Sequence, residues 1–266
     1  MIATPEVTLI AHTTIPSEVV ELERHDDGTQ TAQLVEATDF LMEHDENAGD
    51  MDHLAEFAGR ACYRAERKPN PATRANKDYL ANIIRQQHTS VLEHASASFY
   101  ITGVSRAFLA EITRHRHLSF SVQSQRFVDE SEANIVVPPA IRDHVGKFVY
   151  DIHEGHGEVS GTATEALEDA ALSASGTYEV LVDALTKSGL PRKQAREAAR
   201  AVLPNMTEVR MVITGNCRAW RDTLTRRLAP GADAEMREVA DLICTELEAI
   251  APHSMQGVRE TAAADN

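Results

Sequence analysis

Arg114-His115-Arg116-His117-Leu118-Ser119-Phe120-Ser121-Val122-Gln123-Ser124-Gln125-Arg126 is the stretch on which the reading of this chain turns. It crowds three arginines and two histidines among serines and glutamines, directly after an apolar segment. Such a density of donors suits an anionic ligand, because the planar guanidinium fork matches phosphate oxygens bidentately. Ser124, Gln125 and Arg126 can add side-chain and backbone donors around one anion.

Working outward, residues 106 to about 114 place Phe108, Leu109 and Ile112 on one helical face, with Ser105 as the N-cap and Glu111 one turn from Arg114. The stretch therefore hangs from a helix C-terminus. Before it, Ala95 to Thr102 reads as a strand that Gly103 closes, and two helices precede that, Leu54 to Tyr63 and Ala75 to Gln87, with His88 just past the second. Val7 to Thr13 reads as a first strand. Residues 22 to 52 read as an acidic surface helix, because Leu34, Val35, Phe40 and Leu41 fall at helical spacing. After the stretch, Asn134 to Val137 predicts a short strand, and 141 to 188 two helices with a glycine-containing break near 155 to 161. Pro191 opens another helix, on which Arg192, Arg196 and Arg200 recur every four residues. Thr207 to Thr214 then reads as a strand, Asn216 to Leu228 as an arginine-rich helix and Ala234 to Ile250 as an amphipathic one.

Composition narrows the function classes. A formal net charge of -15 argues against a nucleic-acid footprint over the whole surface, and only five of the 26 basic residues are Lys. Cys62, Cys217 and Cys244 are too few and too scattered for a disulfide framework. The N-terminus lacks the plan of a signal peptide and no apolar run reaches membrane-spanning length, so the expectation is a cytoplasmic protein with no membrane partner. A chain of 266 residues without an evident linker is expected to form one domain, residues 1 to 266. His153, Glu154, His156 and Glu158 could be drawn as a metal site, but an acidic helix end with stray histidines is the plainer reading, and no metal is expected. There is no G-x-G-x-x-G for a dinucleotide, so any such cofactor must be held in another way.

Arg-His-Arg, seven residues, then Ser resembles the signature of the flavin-dependent thymidylate synthases. The runs EFAGRACY (56 to 63), KPNP (68 to 71), HTSVLEHASASFYITGVSR (88 to 106), KQAREAARAVLPN (193 to 205) and ITGNCRAWR (213 to 221) resemble the actinobacterial branch of that family. The resemblance implies an α+β fold, a central antiparallel sheet flanked by helices, in a homotetramer whose active sites are shared between subunits. It implies reductive methylation of dUMP to dTMP, with 5,10-methylenetetrahydrofolate as carbon donor and NADPH as reductant through FAD. By the same resemblance, dUMP is bound by Arg106, Glu111, Ile112, Thr113, Arg114, Val122, Gln123, Ser124, Gln125, Arg126, Arg200 and Arg227. FAD falls to His88, Ser90, Arg114, His115, Arg116, Val122, Asn216, Cys217, Arg218 and Asp222. Arg227 corresponds to the catalytic cation that polarises the uracil ring by favouring the anion of a ring nitrogen. Read without the family, Arg227 is a helix C-terminal arginine satisfying last-turn carbonyls, and His88 a helix cap.

Three positions depart from the family pattern: Phe127 where a Tyr often stands, Asp222 where close relatives carry His, and Pro230-Gly231 in place of a Glu-His pair. They support an alternative, a catalytically impaired homologue acting as a nucleotide- and flavin-binding subunit. A nucleic-acid-binding protein using the 192, 196 and 200 stripe is the rival from another class. A single-strand platform wants several rings beside its cations, and the stretch offers only Phe120 and Phe127.

Overall fold

The computed structural model describes residues 1–36, 45–65, 70–143, 146–151 and 158–264. From the N-terminus, strands β1 (Ile2–Ala3), β2 (Glu6–His12), β3 (Glu18–Arg24) and β4 (Gln30–Glu36) precede helices α1 (Asp50–Ala61) and α2 (Asn76–Arg85). Strand β5 (Ser96–Ser105) leads into helix α3 (Arg106–Ile112), followed by strands β6 (Ser119–Val122) and β7 (Ile135–Val136) and the short helix α4 (Pro139–Arg142). Strands β8 (Lys147–Asp151) and β9 (Glu158–Thr162) come next, then helices α5 (Ala163–Lys187) and α6 (Arg192–Ala199). Strand β10 (Glu208–Asn216) is followed by helices α7 (Cys217–Arg227), α8 (Ala234–Ile250), α9 (Pro252–Met255) and α10 (Val258–Ala264).

The central sheet has the order β2-β5-β10-β6, every neighbour antiparallel, as expected. Along β5 the side chains alternate, sending Ala97, Phe99 and Ile101 into the core. Met211 and Ile213 of β10 continue that layer, and Met236, Val239, Ile243 and Leu247 of α8, at helical spacing, belong to the same core as Trp220 of α7. Trp220 is fully buried, donates its indole N–H to the Ala97 carbonyl at 3.2 Å and meets Phe99 edge-on at 5.3 Å between centroids. Gly103 does not close β5, which runs on to Ser105. At φ +66° it passes so near the Thr4 carbonyl that a Cβ would lie 1.8 Å from that oxygen. Ser105 is the N-cap read from sequence, its Oγ accepting from Phe108 N at 3.0 Å.

Two further expectations are corrected. Residues 18–36 form the β3–β4 hairpin, paired Val19↔Val35 and Val20↔Leu34, and not a helix. The turn Asp27-Gly28-Thr29, with Gly28 at φ +84° and the Asp27 carboxylate accepting from Thr29 N at 2.9 Å, reverses the chain before a helical turn can form. Phe40 and Leu41, the other half of that periodicity, lie outside the described residues. Between 141 and 188 the structure has the β8–β9 hairpin and then one 25-residue helix, α5, opened by a Thr162/Glu165 capping box, in place of two helices.

A buried polar network ties the chain's last helices to its first. Asp52 of α1 accepts from the backbone N–H groups of Ser254 at 2.7 Å and His253 at 3.1 Å, while Asn76 of α2 donates to Glu56 at 2.8 Å. From α7, Arg221 reaches the same turn, donating to the carbonyls of Ser254 at 2.6 Å and Gln256 at 2.9 Å. Helix α7 is thus held from below by Trp220 and from the side by Arg221.

Candidate active site

The loop 114–117 and the outer face of α7 enclose a cavity of about 560 Å³. The loop contributes Arg114, His115, Arg116 and His117, and α7 contributes Asp222, Thr223, Arg226 and Arg227. The helix presents this face because its other face, with Cys217, Trp220 and Leu224, is buried.

Arg227 is held in the cavity wall at all three guanidinium nitrogens. Its Nε donates to His115 Nε2 at 2.7 Å, its Nη1 to Glu111 Oε2 at 3.2 Å and its Nη2 to the Glu111 carbonyl at 3.2 Å. Only 16% of its side chain is exposed. Arg114 shares the Glu111 carboxylate at 3.4 Å, and Arg226 pairs with Asp222 at 2.9 Å, one turn earlier on α7. Burial, followed by the charge of Arg227, holds the His115 imidazole below its ordinary value.

Of the expected FAD residues away from this loop, His88, Ser90, Asn216, Cys217 and Arg218 gather at the opposite end of α7, whereas Val122 lies at the end of β6. Asn216 caps the helix, its Oδ1 accepting from Ala219 N at 2.8 Å, and Arg218 pairs with Glu93 of the 3-10 turn Thr89–Glu93. His88 and Ser90, both exposed, belong to that turn. A helix end places them there: Gln87 takes φ +58°, and His88 N donates to the Ile83 carbonyl at 3.0 Å, a Schellman closure of α2. Cys217 is fully buried, its thiol is pushed up to about 12 by burial, and its backbone N–H donates to the Ala95 carbonyl at 2.9 Å.

Ser124, Gln125 and Arg126 lie beyond the far end of β6. Arg126 pairs with Glu197 of α6 at 2.7 Å, and Arg196 donates to the Phe127 carbonyl at 2.7 Å and to Asp129 at 2.5 Å. Burial lowers the guanidinium of Arg106 from its ordinary value, with Glu130 opposing and Arg200 adding to that effect, so Arg106 and Arg200 belong to this second group. Gln123 donates to Glu130 at 3.2 Å, Val122 ends β6, and the side chains of Gln125 and Ile112 are buried. Helix α3 and strand β6 both run between the two groups, Arg106 starting α3 and Thr113 capping its other end beside the cavity. Phe127 is exposed, with Lys193 Nζ 4.6 Å over its ring.

Thr223, Arg226 and His117 line the cavity but were not singled out from sequence. For Thr223 the one-turn spacing to Arg227, and for Arg226 the one-turn spacing to Asp222, is the signal that could have found them. Of the histidines drawn as a metal site, none lies within the described residues, nor does the side chain of Glu158. Among the described residues no group of three His, Cys, Asp or Glu side chains could hold a metal ion. No helix among them is long and apolar enough to cross a membrane.

Comparison with known proteins defines the class. A family model described as Thymidylate synthase complementing protein matches residues 41–253. The chain belongs to that family, the flavin-dependent thymidylate synthases. It is 49% identical over 221 residues to a probable flavin-dependent thymidylate synthase of Mycobacterium phage D29, covering 83% of this chain and 88% of that one. It is 43% identical over 244 residues to the flavin-dependent thymidylate synthase of Mycobacterium tuberculosis (strain ATCC 25177 / H37Ra), covering 88% and 91%. The fold is shared with the UMP/dUMP methylase PolB of Streptomyces cacaoi bound with 5-Br UMP, at TM-score 0.60 and 19% identity over 98% of this chain and 96% of that one. It is shared also with thymidylate synthase X of Helicobacter pylori with FAD and dUMP, at TM-score 0.54 and 20% identity over 77% and 94%.

Proposed function

We propose that this chain, acting as one domain in the cytoplasm, converts dUMP to dTMP with 5,10-methylenetetrahydrofolate as carbon donor and NADPH as reductant through FAD. The observation that carries this is Arg227, fixed by three of its five N–H bonds at the wall of a cationic cavity, with two left for a ligand. In the balanced reaction the folate's methylene group replaces the hydrogen of the ring carbon, which leaves as a proton; a hydride completes the methyl group, and the displaced proton with one further proton restores the two folate nitrogens that released the methylene.

FAD, when bound, supplies two-electron redox chemistry between the nicotinamide and the one-carbon unit. The residues present fit it. Arg114, Arg116 and Arg226 give cations for a pyrophosphate, and α7, eleven residues or about 16 Å long, joins that cavity to Arg218, His88 and Ser90. The family's pattern gives Ser124, Gln125 and Arg126 the nucleotide phosphate, with Arg106 and Arg200 beside them. Arg227 would then stabilise negative charge on the uracil ring and so bias electron density towards the attacking carbon. The residues assigned to dUMP lie at two ends of α3 and β6 in one chain. We take this separation to support a homotetramer in which one subunit's Arg227 end completes another's Ser124 end.

A second reading is favoured by Asp222, whose carboxylate lines the cavity where cations predominate: an impaired homologue that binds nucleotide and flavin without turnover. The deciding experiment is dTMP formation by the purified protein with dUMP, methylenetetrahydrofolate, FAD and NADPH, beside Arg227→Ala. Product from the native protein and none from the variant is the expected result. No product with dUMP binding intact would hand the case to the impaired homologue.

A further inference from the structure

His115 has a hydrogen-bonding pattern that admits one protonation state. Its Nε2 receives Arg227 Nε–H at 2.7 Å, and its Nδ1 lies 3.3 Å from Thr223 Oγ1. A guanidinium has no lone pair to offer, so Arg227 only donates and Nε2 must be bare. A neutral imidazole carries one proton, which is then on Nδ1 and is donated to the Thr223 hydroxyl oxygen. Thr223 is buried and precedes Arg227 by one turn of α7, so the ring is bracketed by two residues of the same helix. The loop histidine is locked to the helix at both nitrogens.

We propose that His115 is a positioning residue for Arg227: as the neutral Nδ1–H tautomer it sets the plane of the guanidinium, and a proton taken up at Nε2 turns that acceptor into a donor and releases it. Glu111 would keep its two contacts, leaving Arg227 tethered but free to pivot about them. The charges facing the ring favour the neutral form. Burial acts first, then Arg227; Asp222 opposes them, and Arg226 and Arg114 add to them. Glu111 of α3 acts at one remove, through Arg227. The role rests on the reading that Arg227 acts on bound nucleotide, and it assigns to His115 a task separate from contact with flavin.

Two substitutions in the FAD-saturated protein separate positioning from bulk. His115→Gln puts an amide oxygen near the place of Nε2, able to accept from Arg227 and unable to take up a proton; His115→Leu accepts nothing. Loss of orientation at a reacting group costs about 100-fold, so His115→Leu should lower kcat by that order with a smaller change in the KM for dUMP. His115→Gln should recover about tenfold of it, the worth of one hydrogen bond. The native protein should lose kcat as pH falls below the ordinary histidine value of about 6.5, and His115→Gln should lack that limb. Nitrogen-15 histidine NMR of the FAD-loaded protein without substrates gives a reading independent of turnover. The signal missing from His115→Gln identifies the ring, which should show the Nδ1–H pattern at neutral pH. An Nε2–H pattern, a Gln variant no better than Leu, or an acid limb that persists in Gln would each overturn the proposal. If the native protein forms no dTMP, the functional reading fails, and the tautomer alone decides whether His115 holds Arg227.

Discussion

The two ends of helix α3 hold arginines in different ways. At its C-terminal end Arg227 is gripped by a neutral ring, a carbonyl and one carboxylate that Arg114 shares. At the other group Arg126 and Arg196 each have a carboxylate of their own, Glu197 and Asp129. An arginine neutralised one-to-one already has its charge compensated and must exchange its partner to take a phosphate. One held by two neutral acceptors and a carboxylate that it shares with a second arginine is oriented while part of its charge remains uncompensated. The first end is suited to orienting a cation at a reacting group, the second to exchangeable binding.

The largest effect should come from Arg227→Lys, which keeps the charge and loses the fork. A drop of about 100-fold or more in kcat/KM is expected, read as dTMP formed per enzyme, and a loss under threefold would erase the distinction between the ends. Arg126→Lys should act on binding instead, raising the KM for dUMP about tenfold with kcat nearly intact; an equal fall in kcat would put Arg126 in the same role as Arg227. Replacing Asp222 and Gly231 together by His removes a carboxylate from the cavity wall. Flavin affinity should rise about threefold to tenfold, or its midpoint potential should rise, because a nearby carboxylate disfavours the reduced anion. Titrations indistinguishable from the native protein would remove Asp222 from the account.

A smaller effect concerns pH. Because the folded-state value of His115 lies below its unfolded value, its contribution to stability is fully present above about pH 6.5 and is lost as pH falls through the folded value. The urea midpoint of the native protein should therefore decline on acidification more than that of His115→Gln; parallel declines would show that the ring takes up its proton without cost. The smallest effect belongs to Glu197→Gln. Its pair with Arg126 is 42% and 44% exposed, so stability should move by no more than about 0.5 kcal/mol in thermal unfolding, while dUMP binds slightly tighter to the freed arginine.

Local chemistry was what the sequence made legible. The Ser105 cap, strand β10, and helices α7 and α8 follow from short-range rules, and α8 begins and ends at the residues its apolar spacing names. Helical spacing misled where apolar residues were few, since Leu34 and Val35 satisfy a hairpin register as readily as a helix face, and Gly28 decides between them. Strand β1 escaped notice because its two residues pair with Ile135 and Val136, a partner no local pattern reveals. Helices α9 and α10 were missed for a similar reason: the anchor of α9 is Asp52, some 200 positions earlier. At the site, the residue types and their likeness to a family pointed to Arg227 and His115. The bond between them spans 112 positions and depends on how α7 rolls against the 114–117 loop, which only packing sets.

Trp220 gives the molecule an optical property of its own. It is the one tryptophan in the chain, sealed from water two residues before Asp222 on the helix that walls the cavity. Its emission should therefore be blue-shifted and come from a single place, overlapping the absorption band of an isoalloxazine ring. Arrival of a flavin would shorten the lifetime of that emission through energy transfer, so the protein carries a label-free gauge of its own occupancy.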